Sequence, residues 1–225
     1  MSELEYHIEQ LEVALDPSSP RRDLPTIPPA CRSVLDVGCG AGQTLIACSF
    51  PPETALFGVD VDGGALRLGK SLDERIQFIQ GAGASPPFAE ASVDMVISRV
   101  ALPYMNVRPA LAGFYRILRP GGHLWVTLHG PRMVLGDLVR EVRGVRVRAT
   151  IYRSYVLANG ILLHLTGRTL PFPGNIRRVE SFQTRGGIRR ALEGVGFRQL
   201  RMVIDGPRFT VGARKPEAPN GGKSI

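Results

Sequence analysis

Three glycines at alternating positions stand directly behind a predicted buried strand. The segment reads Asp36-x-Gly38-x-Gly40-x-Gly42, and the residues after it begin a predicted helix. In parallel α/β sheets, ligands bind at the carboxyl ends of the strands, and glycines let backbone amides approach a ligand closely. The N-terminus of the following helix favours a carboxylate or a phosphate group. The pattern therefore predicts a loop that binds a nucleotide-type cofactor, with a purely structural glycine turn as the alternative.

Other cofactor and catalytic motifs do not fit the sequence. Dinucleotide folds prefer Gly-x-Gly-x-x-Gly and phosphate loops need Gly-Lys followed by Ser or Thr, and neither pattern is found. There is no Gly-x-Ser-x-Gly elbow and no His, Cys and carboxylate cluster typical of a metal site. Cys31, Cys39 and Cys48 match neither a zinc ribbon nor a redox pair, so we expect reduced packing thiols and no metal.

A second acid ends the next predicted strand, about twenty residues past the glycine loop. The Asp60 carboxylate can accept hydrogen bonds from two neighbouring hydroxyl groups, such as those of a ribose. The alternative is that Asp60 caps the following helix, although Asp62 is the better candidate for that cap.

Short apolar runs alternate with helical segments and must position these side chains. Strands are predicted at residues 33–37, 55–59, 76–79, 93–98 and 123–128, and helices at 44–50, 65–72 and 108–118. This alternation is typical of a parallel sheet with helices on both faces. Two later strands, 197–204 and 208–213, are joined at Asp205-Gly206-Pro207 and predict an antiparallel hairpin. We therefore expect a doubly wound, Rossmann-like α/β fold with a seven-stranded, mostly parallel sheet.

Additional segments surround this predicted domain. Leu4, Ile8, Leu11 and Leu15 predict an amphipathic helix, and prolines then make residues 16–30 a stiff connector, so residues 1–30 are expected to be an appendage. Residues 131–180 interrupt the alternation and predict a helical cap inserted into a domain of residues 31–214. Residues 215–225 are polar and rich in Pro and Gly, which predicts a disordered tail.

The chain resembles the class I S-adenosylmethionine-dependent methyltransferases, of the methyltransferase type 11-like kind, over residues 34–126 and 185–213. Four blocks match the family in order: the glycine loop, residues 56–61, residues 81–88 with 92–96, and residues 117–126. The resemblance implies S-adenosylmethionine as the cofactor. It places the glycines at the methionyl part and Asp36 near the amino group.

The resemblance also implies the other cofactor contacts. Asp60 would hold both ribose hydroxyls and Val61 would touch adenine, whereas Ala82 stands where the family usually has Asp. One hydrogen bond to the adenine amine is therefore expected to be missing, which costs about 0.5–1.5 kcal/mol. The full predicted set is Asp36, Gly38, Cys39, Gly40, Gly42, Asp60, Val61, Gly81, Ala82, Ser98 and Arg99.

No residue stands out as the catalytic group. Methyl transfer from a sulfonium is an in-line displacement that alignment alone can accelerate, so a general base is optional. The candidates for a base or for the acceptor pocket are Tyr104, His129 and His164. Each has a structural alternative, because a single histidine or tyrosine often belongs to the packing.

The net charge of +8 is concentrated in and around the predicted cap. Residues 131–201 contain 14 arginines against Asp137, Glu141, Glu180 and Glu193. Such arginines can bind an anionic acceptor, with the face of Ile151, Tyr155, Ala158, Leu162 and Leu165 as an apolar wall. The alternatives are a solvated helix face and a bias in composition.

Three functions remain open from the sequence. The first is methylation of a small or lipophilic, anionic metabolite. The second is RNA methylation, which arginine favours but which lacks an aromatic base-stacking signature. The third is S-adenosylmethionine binding without catalysis. The acidic N-terminus and the shortness of the most apolar stretch, about ten residues where a bilayer needs about twenty, favour a cytoplasmic location without a transmembrane segment.

Overall fold

The computed structural model describes residues 3–144, 146–175, 178–205 and 208–218. Its strands are β1 (Ser33–Val37), β2 (Ala55–Asp60), β3 (Ile76–Gln80), β4 (Val93–Arg99), β5 (Leu118–His129), β6 (Arg198–Asp205) and β7 (Arg208–Arg214). Its helices are α1 (Glu3–Leu15), α2 (Gln43–Ala47), α3 (Gly63–Leu72), α4 (Val107–Ile117), α5 (Pro131–Arg143), α6 (Val147–Thr166) and α7 (Arg185–Val195), with a 3₁₀ turn at Leu102–Tyr104.

All the strands form one sheet in the order β3-β2-β1-β4-β5-β7-β6. Strands β1 to β5 pair in parallel, and β7 runs antiparallel between β5 and β6. The predicted doubly wound, mostly parallel seven-stranded sheet with a C-terminal antiparallel hairpin is confirmed. Gly206 and Pro207 of the predicted turn lie outside the described residues, although Asp205 pairs with Arg208 on either side of it.

Apolar side chains on both faces of the sheet form its cores. On one face, α4 contributes Leu111 and Phe114 and α7 contributes Ile188 and Leu192, all fully buried against β5 and β7. On the other face, Leu45 of α2 packs against β1 and β2 in a smaller cluster. Because β1 is buried along its whole length, the loop that follows it is held firmly.

Strand β5 begins earlier than predicted. The Pro120-Gly121-Gly122 segment lies within the strand, not in a turn before it, because Leu118 pairs with Val93 while His123 pairs with Met95. The extra residues form a bulge, and Gly121 adopts a left-handed conformation there with a φ of 77°.

The N-terminal helix is not the appendage that the sequence predicts. Helix α1 packs against α2 and α3. The ring of His7 lies 2.9 Å from the position that a Cβ on Gly40 would occupy. Ala14 is buried, whereas Ile8 and Leu15 of the predicted apolar stripe are 44% and 52% exposed. The helix therefore lies across the glycine loop through polar side chains, which the apolar periodicity did not reveal.

Helices α5 and α6 occupy the predicted cap. Tyr155 and Leu162 are half-buried, but Ile151, Ala158 and Leu165 are exposed. The prediction that these five residues form one apolar wall of an acceptor pocket is therefore wrong. Among the described residues, no helix combines the length and apolar character needed to cross a bilayer.

The first residues of the predicted disordered tail are fixed to the domain, which corrects that boundary. The Lys215 Nζ donates hydrogen bonds to the carbonyls of Tyr115 at 2.8 Å and Leu118 at 2.9 Å. Its backbone amide donates to the Gly122 carbonyl. Residues 219–225 lie outside the described part of the chain.

Candidate cofactor and acceptor site

The glycine loop folds tightly around the end of β2. The amides of Gly38 and Cys39 both donate to the Val59 carbonyl, at 2.8 and 3.2 Å, and Gly38, Gly40 and Gly42 all have a positive φ. A Cβ on Gly38 would lie 2.1 Å from the Cβ of Ala101. Glycine at this position is therefore required by conformation and by the close approach of the segment after β4.

The Asp60 carboxylate is oriented by two backbone amides. Its Oδ2 accepts from the Gly40 amide at 2.8 Å, and its Oδ1 accepts from the Asp62 amide at 3.0 Å. Asp62 caps α3 by accepting from the Gly64 amide at 2.8 Å, so the predicted division of roles between these two acids is confirmed for the cap. Asp60 keeps lone pairs free for further donors, and Val61 beside it is 69% exposed.

Asp36 is buried beneath the glycine loop and does not reach its surface. The residue is 1% exposed, and its Oδ1 has no hydrogen-bond partner among the described residues. Burial raises the pKa of Asp36 to about 7, against the opposing effect of the Arg99 guanidinium. An unpartnered buried carboxyl oxygen is costly, and a cationic group brought close to it would lower that cost.

One cavity of about 940 Å³ opens above this loop. It contains ten of the residues predicted for the site: Gly38, Cys39, Gly40, Asp60, Val61, Gly81, Ala82, Arg99, Tyr104 and His129. The structure thus brings together residues that follow β1, β2, β3, β4 and β5, as expected where parallel strands end at the same edge of a sheet.

Arginine and aromatic side chains line the part of the cavity beyond the glycine loop. Arg208 is there, with Tyr104 and His129 packed edge to face at 5.9 Å between ring centroids, whereas Arg99 lies nearer the loop and donates from its Nε to the Thr44 Oγ1 at 3.2 Å. Burial, and next the nearby Arg208, lower the pKa of His129 to about 4, so its imidazole is neutral at neutral pH. Burial raises the pKa of Tyr104 to about 12 and keeps its phenol protonated.

Several lining residues were missed by sequence reasoning. Tyr6, His7 and Gln10 come from α1, Arg21 comes from the connector, and Arg208 comes from β7. The Nδ1 of His7 lies 3.0 Å from the Gln43 Nε2, and its Nε2 lies 3.6 Å from the Asp62 Oδ2. No local motif marks these residues, because they reach the site through tertiary packing alone.

Four predicted residues do not line the cavity, namely Asp36, which is buried, and Gly42, Ser98 and His164. Gly42 and Ser98 belong to its supporting layer, and the Ser98 side chain is fully buried with no hydrogen-bond partner among the described residues. His164 is elsewhere: its Nδ1 lies 2.7 Å from the Thr184 Oγ1, beside the N-terminus of α7. We therefore do not retain His164 as a candidate base.

Several arginines of the predicted cap pair with acids. Arg153 pairs with Glu180 at 3.0 Å and with Asp137 at 3.3 Å, and Arg146 pairs with Glu141 at 3.5 Å. A second cavity of about 550 Å³ contains these acids together with Arg148, Tyr152 and Tyr104. The cations in the main cavity come instead from Arg21, Arg99 and Arg208.

Thiol and metal chemistry have no evident centre in the described chain. Cys31, Cys39 and Cys48 are free, and burial raises the pKa of each, which makes the thiolate scarce at neutral pH. Among the described residues, no group of three or more His, Cys, Asp or Glu side chains is arranged to hold a metal ion.

Comparison with known proteins finds similarity to methyltransferases. Residues 35–126 match a family model described as a methyltransferase domain. An uncharacterized methyltransferase of Synechocystis is 33% identical over 104 residues, which cover 44% of this chain and 49% of that relative. The malonyl-(acyl-carrier protein) O-methyltransferase of Xylella fastidiosa is 33% identical over 105 residues, covering 44% and 36%. The matched segment thus spans about half, or less, of the length of these curated relatives.

A solved structure shares the fold across a longer part of the chain. Phosphoethanolamine N-methyltransferase 2 of Haemonchus contortus, solved in complex with S-adenosyl-L-methionine, superposes with a TM-score of 0.58. The two are 16% identical, and the superposition covers 83% of this chain and 49% of that one. At this identity, the likeness describes the architecture only.

Proposed function

We propose that this chain, whose residues 35–126 belong to the class I S-adenosylmethionine-dependent methyltransferase family, methylates a small or lipophilic acceptor that carries an anionic group. One observation carries the proposal. A single cavity joins the glycine loop, Asp60 and Arg99 to Arg208, Tyr104 and His129.

The glycine-loop end of the cavity fits S-adenosylmethionine. Asp60 has both oxygens held in place by backbone amides and has lone pairs left for ribose hydroxyls. Asp36 is buried beneath the loop, where its carboxylate favours a cationic amino group above it by electrostatic attraction and not by direct contact. Val61 offers an exposed apolar side chain for adenine. Ala82 offers no polar side chain for the adenine amine, so we expect this contact to be weaker than in the family.

The opposite end fits an anionic acceptor. S-adenosylmethionine, when bound, supplies a methyl group on a positively charged sulfur. Arg208 can bind a carboxylate by charge-assisted hydrogen bonds. Among the described residues that line the cavity, Asp60 is the acid, and it lies at the glycine loop. The neutral imidazole of His129 can accept a hydrogen bond from an acceptor hydroxyl and so orient it. The similarity to an enzyme named for malonyl-carrier O-methylation supports an acceptor with a carboxylate.

Calorimetry and a turnover assay test the two parts of this proposal separately. We expect S-adenosylmethionine and its demethylated product to bind, and methyl release with carboxylate-bearing acceptors but not with their amides. Failure of both cofactors to bind would overturn the family-level activity. Binding without turnover on any acceptor class would favour a cofactor-binding protein without catalysis, and turnover on RNA alone would favour the RNA methyltransferase.

An arginine variant tests the acceptor end. Arg208→Gln should raise the KM for a carboxylate acceptor about 10- to 100-fold, because it removes a charge-assisted hydrogen bond of about 1.5–3 kcal/mol. It should leave the Kd of S-adenosylmethionine almost unchanged. Arg201→Gln, which alters an exposed arginine of β6, is the matched control and should change neither quantity. An equal loss of affinity for cofactor and acceptor in Arg208→Gln would contradict the assignment.

A further inference from the structure

The outward side of α6 is largely apolar, with Ser154 as a polar residue within it. Val147, Ile151, Ala158, Ile161 and Leu165 are all exposed and share one face of the helix, at spacings of four, seven, three and four residues, with the exposed Ser154 in the seven-residue gap. The four largest are 65%, 58%, 49% and 66% exposed. Over 20 residues the helix is about 30 Å long, so the apolar side chains form a stripe along it that Ser154 interrupts.

The opposite side of α6 is fixed to the domain, so the stripe cannot turn inward. Val156 and Leu163 are fully buried. Gly160 meets Phe182 so closely that a Cβ there would lie 2.2 Å from its ring. The Asn159 amide also donates to the Glu180 carbonyl at 2.9 Å. The exposure of the stripe is therefore a consequence of how the cap is anchored.

Helix α5 carries a second exposed stripe. Leu135, Val139 and Val142 are spaced by four and three residues and are 54%, 44% and 55% exposed. The buried side of α5 is formed by Val134, which packs in a cluster with Val156 and Phe182. Both cap helices thus place apolar side chains where no described residue covers them.

The charge around these stripes has one sign. Arg132, Arg140, Arg143, Arg146, Arg148 and Arg168 are exposed. Asp137 and Glu141 are the acids of residues 131–175, and their side chains are only 18% and 13% exposed because both pair with arginines. The exterior of the cap is therefore apolar and cationic at once.

We propose that the cap, through the outward faces of α5 and α6, docks on the surface of a bilayer that contains anionic phospholipids. A helix that lies in a membrane interface buries an apolar face between the acyl chains and presents flanking basic residues to the phosphates. A second copy of this chain would bring two cationic faces together, which opposes self-association. RNA would engage the arginines but would leave the apolar stripes unburied.

Sedimentation with vesicles tests this docking on the full chain. The probes are vesicles of phosphatidylcholine alone and vesicles of phosphatidylcholine with about one third phosphatidylglycerol, at low and at high salt. We expect at least about tenfold stronger partitioning onto the anionic vesicles, weakened by salt because the screening length falls as ionic strength rises. Failure to sediment with anionic vesicles at low salt would overturn the proposal.

Matched variants distinguish binding through the cap from binding through the overall positive charge of the protein. Ile151→Ser with Ile161→Ser should lower partitioning onto anionic vesicles about tenfold or more, whereas Val203→Ser with Ile204→Ser, two exposed apolar residues near the end of β6, should not. Arg143→Gln with Arg148→Gln should also lower it, and more than the charge-matched Arg108→Gln with Arg201→Gln.

The remaining outcomes each contradict the docking. Equal loss in the cap and control variants would show that net charge alone drives the binding. A dimer that dissociates in the Ile151→Ser, Ile161→Ser variant would identify a second copy as the occupant. Retention on RNA lost with the arginines but not with the isoleucines would identify a nucleic acid. Thermal unfolding of each variant shows whether it is folded, and Ile161→Ser alone provides a milder change if the double variant is not.

Discussion

Asp60 is the residue on which cofactor affinity is expected to depend most. Asp60→Asn keeps the shape but removes the charge that would bind two ribose hydroxyls, so the Kd of S-adenosylmethionine should rise about 10- to 100-fold. Asp62→Asn is the control, because asparagine caps a helix as well as aspartate does. Calorimetry that found equal affinities for the two variants would show that Asp60 only supports the loop.

Asp36 should give the protein a distinctive pH dependence of stability. Its pKa of about 7 in the folded chain exceeds the ordinary value of 3.8, so the folded state holds this proton more tightly than the unfolded state does. Stability is therefore lost as the pH rises from about 4 to about 7 and is constant above that range. A pKa difference of this size corresponds to about 4 kcal/mol.

The substitution Asp36→Asn isolates this effect. The difference in free energy of unfolding between wild type and variant should shift in favour of the variant between pH 4 and pH 8. Urea titrations at several pH values measure that difference. Parallel pH profiles for the two proteins would show that Asp36 ionises normally in the folded state.

At the scale of elements, α1 is expected to retain the bound cofactor. Tyr6 and His7 line the same cavity as the glycine loop, so Tyr6→Ala with His7→Ala removes two aromatic contacts above it. Each such contact is worth about 1 kcal/mol, so losing both should make the cofactor dissociate about 30-fold faster. Glu12→Ala with Leu15→Ala alters exposed positions of α1 and serves as the control in stopped-flow measurements. Unchanged dissociation in both would place α1 outside the binding step.

The junction between α6 and the domain is expected to tolerate no added volume. Gly160→Ala places a methyl group 2.2 Å from the Phe182 ring and should destabilise the protein by about 1–3 kcal/mol. Gly136→Ala in α5 has nothing within 4 Å and should be neutral or stabilising by up to about 1 kcal/mol. Urea unfolding compares the two. Equal stability would mean that the cap moves away from Phe182 without cost.

For the molecule as a whole, the sequence predicted what depends on local pattern. The sheet follows from apolar runs and turn residues, and Gly38 and Asp60 could be assigned because conformation and strand-end position leave clear signatures. Helix α1 over the loop could not be predicted, since its contacts run through His7, and Arg208 enters the cavity from a strand formed much later in the chain.

The cap shows the limit of helical periodicity as a guide to burial. A stripe that contains Ile151 and Leu165 predicts an apolar face but does not say whether that face turns inward. The side of α6 that faces the domain includes Gly160, a small residue that packs against Phe182, and Asn159, a polar residue that donates a hydrogen bond to the Glu180 carbonyl. Tight packing against Phe182 outweighs the larger apolar surface on the other side.

Tyr104 stands between the two cavities and lines both of them. Its ring therefore lies between the two cavities. We expect its bulk to limit the length of the proposed acceptor that the larger cavity admits. Tyr104→Ala should merge the chambers, of about 940 and 550 Å³, into one tunnel. With a homologous series of carboxylates of increasing chain length, the variant should accept longer members that the wild type rejects, and the same cut-off in both proteins would show that the chambers work independently.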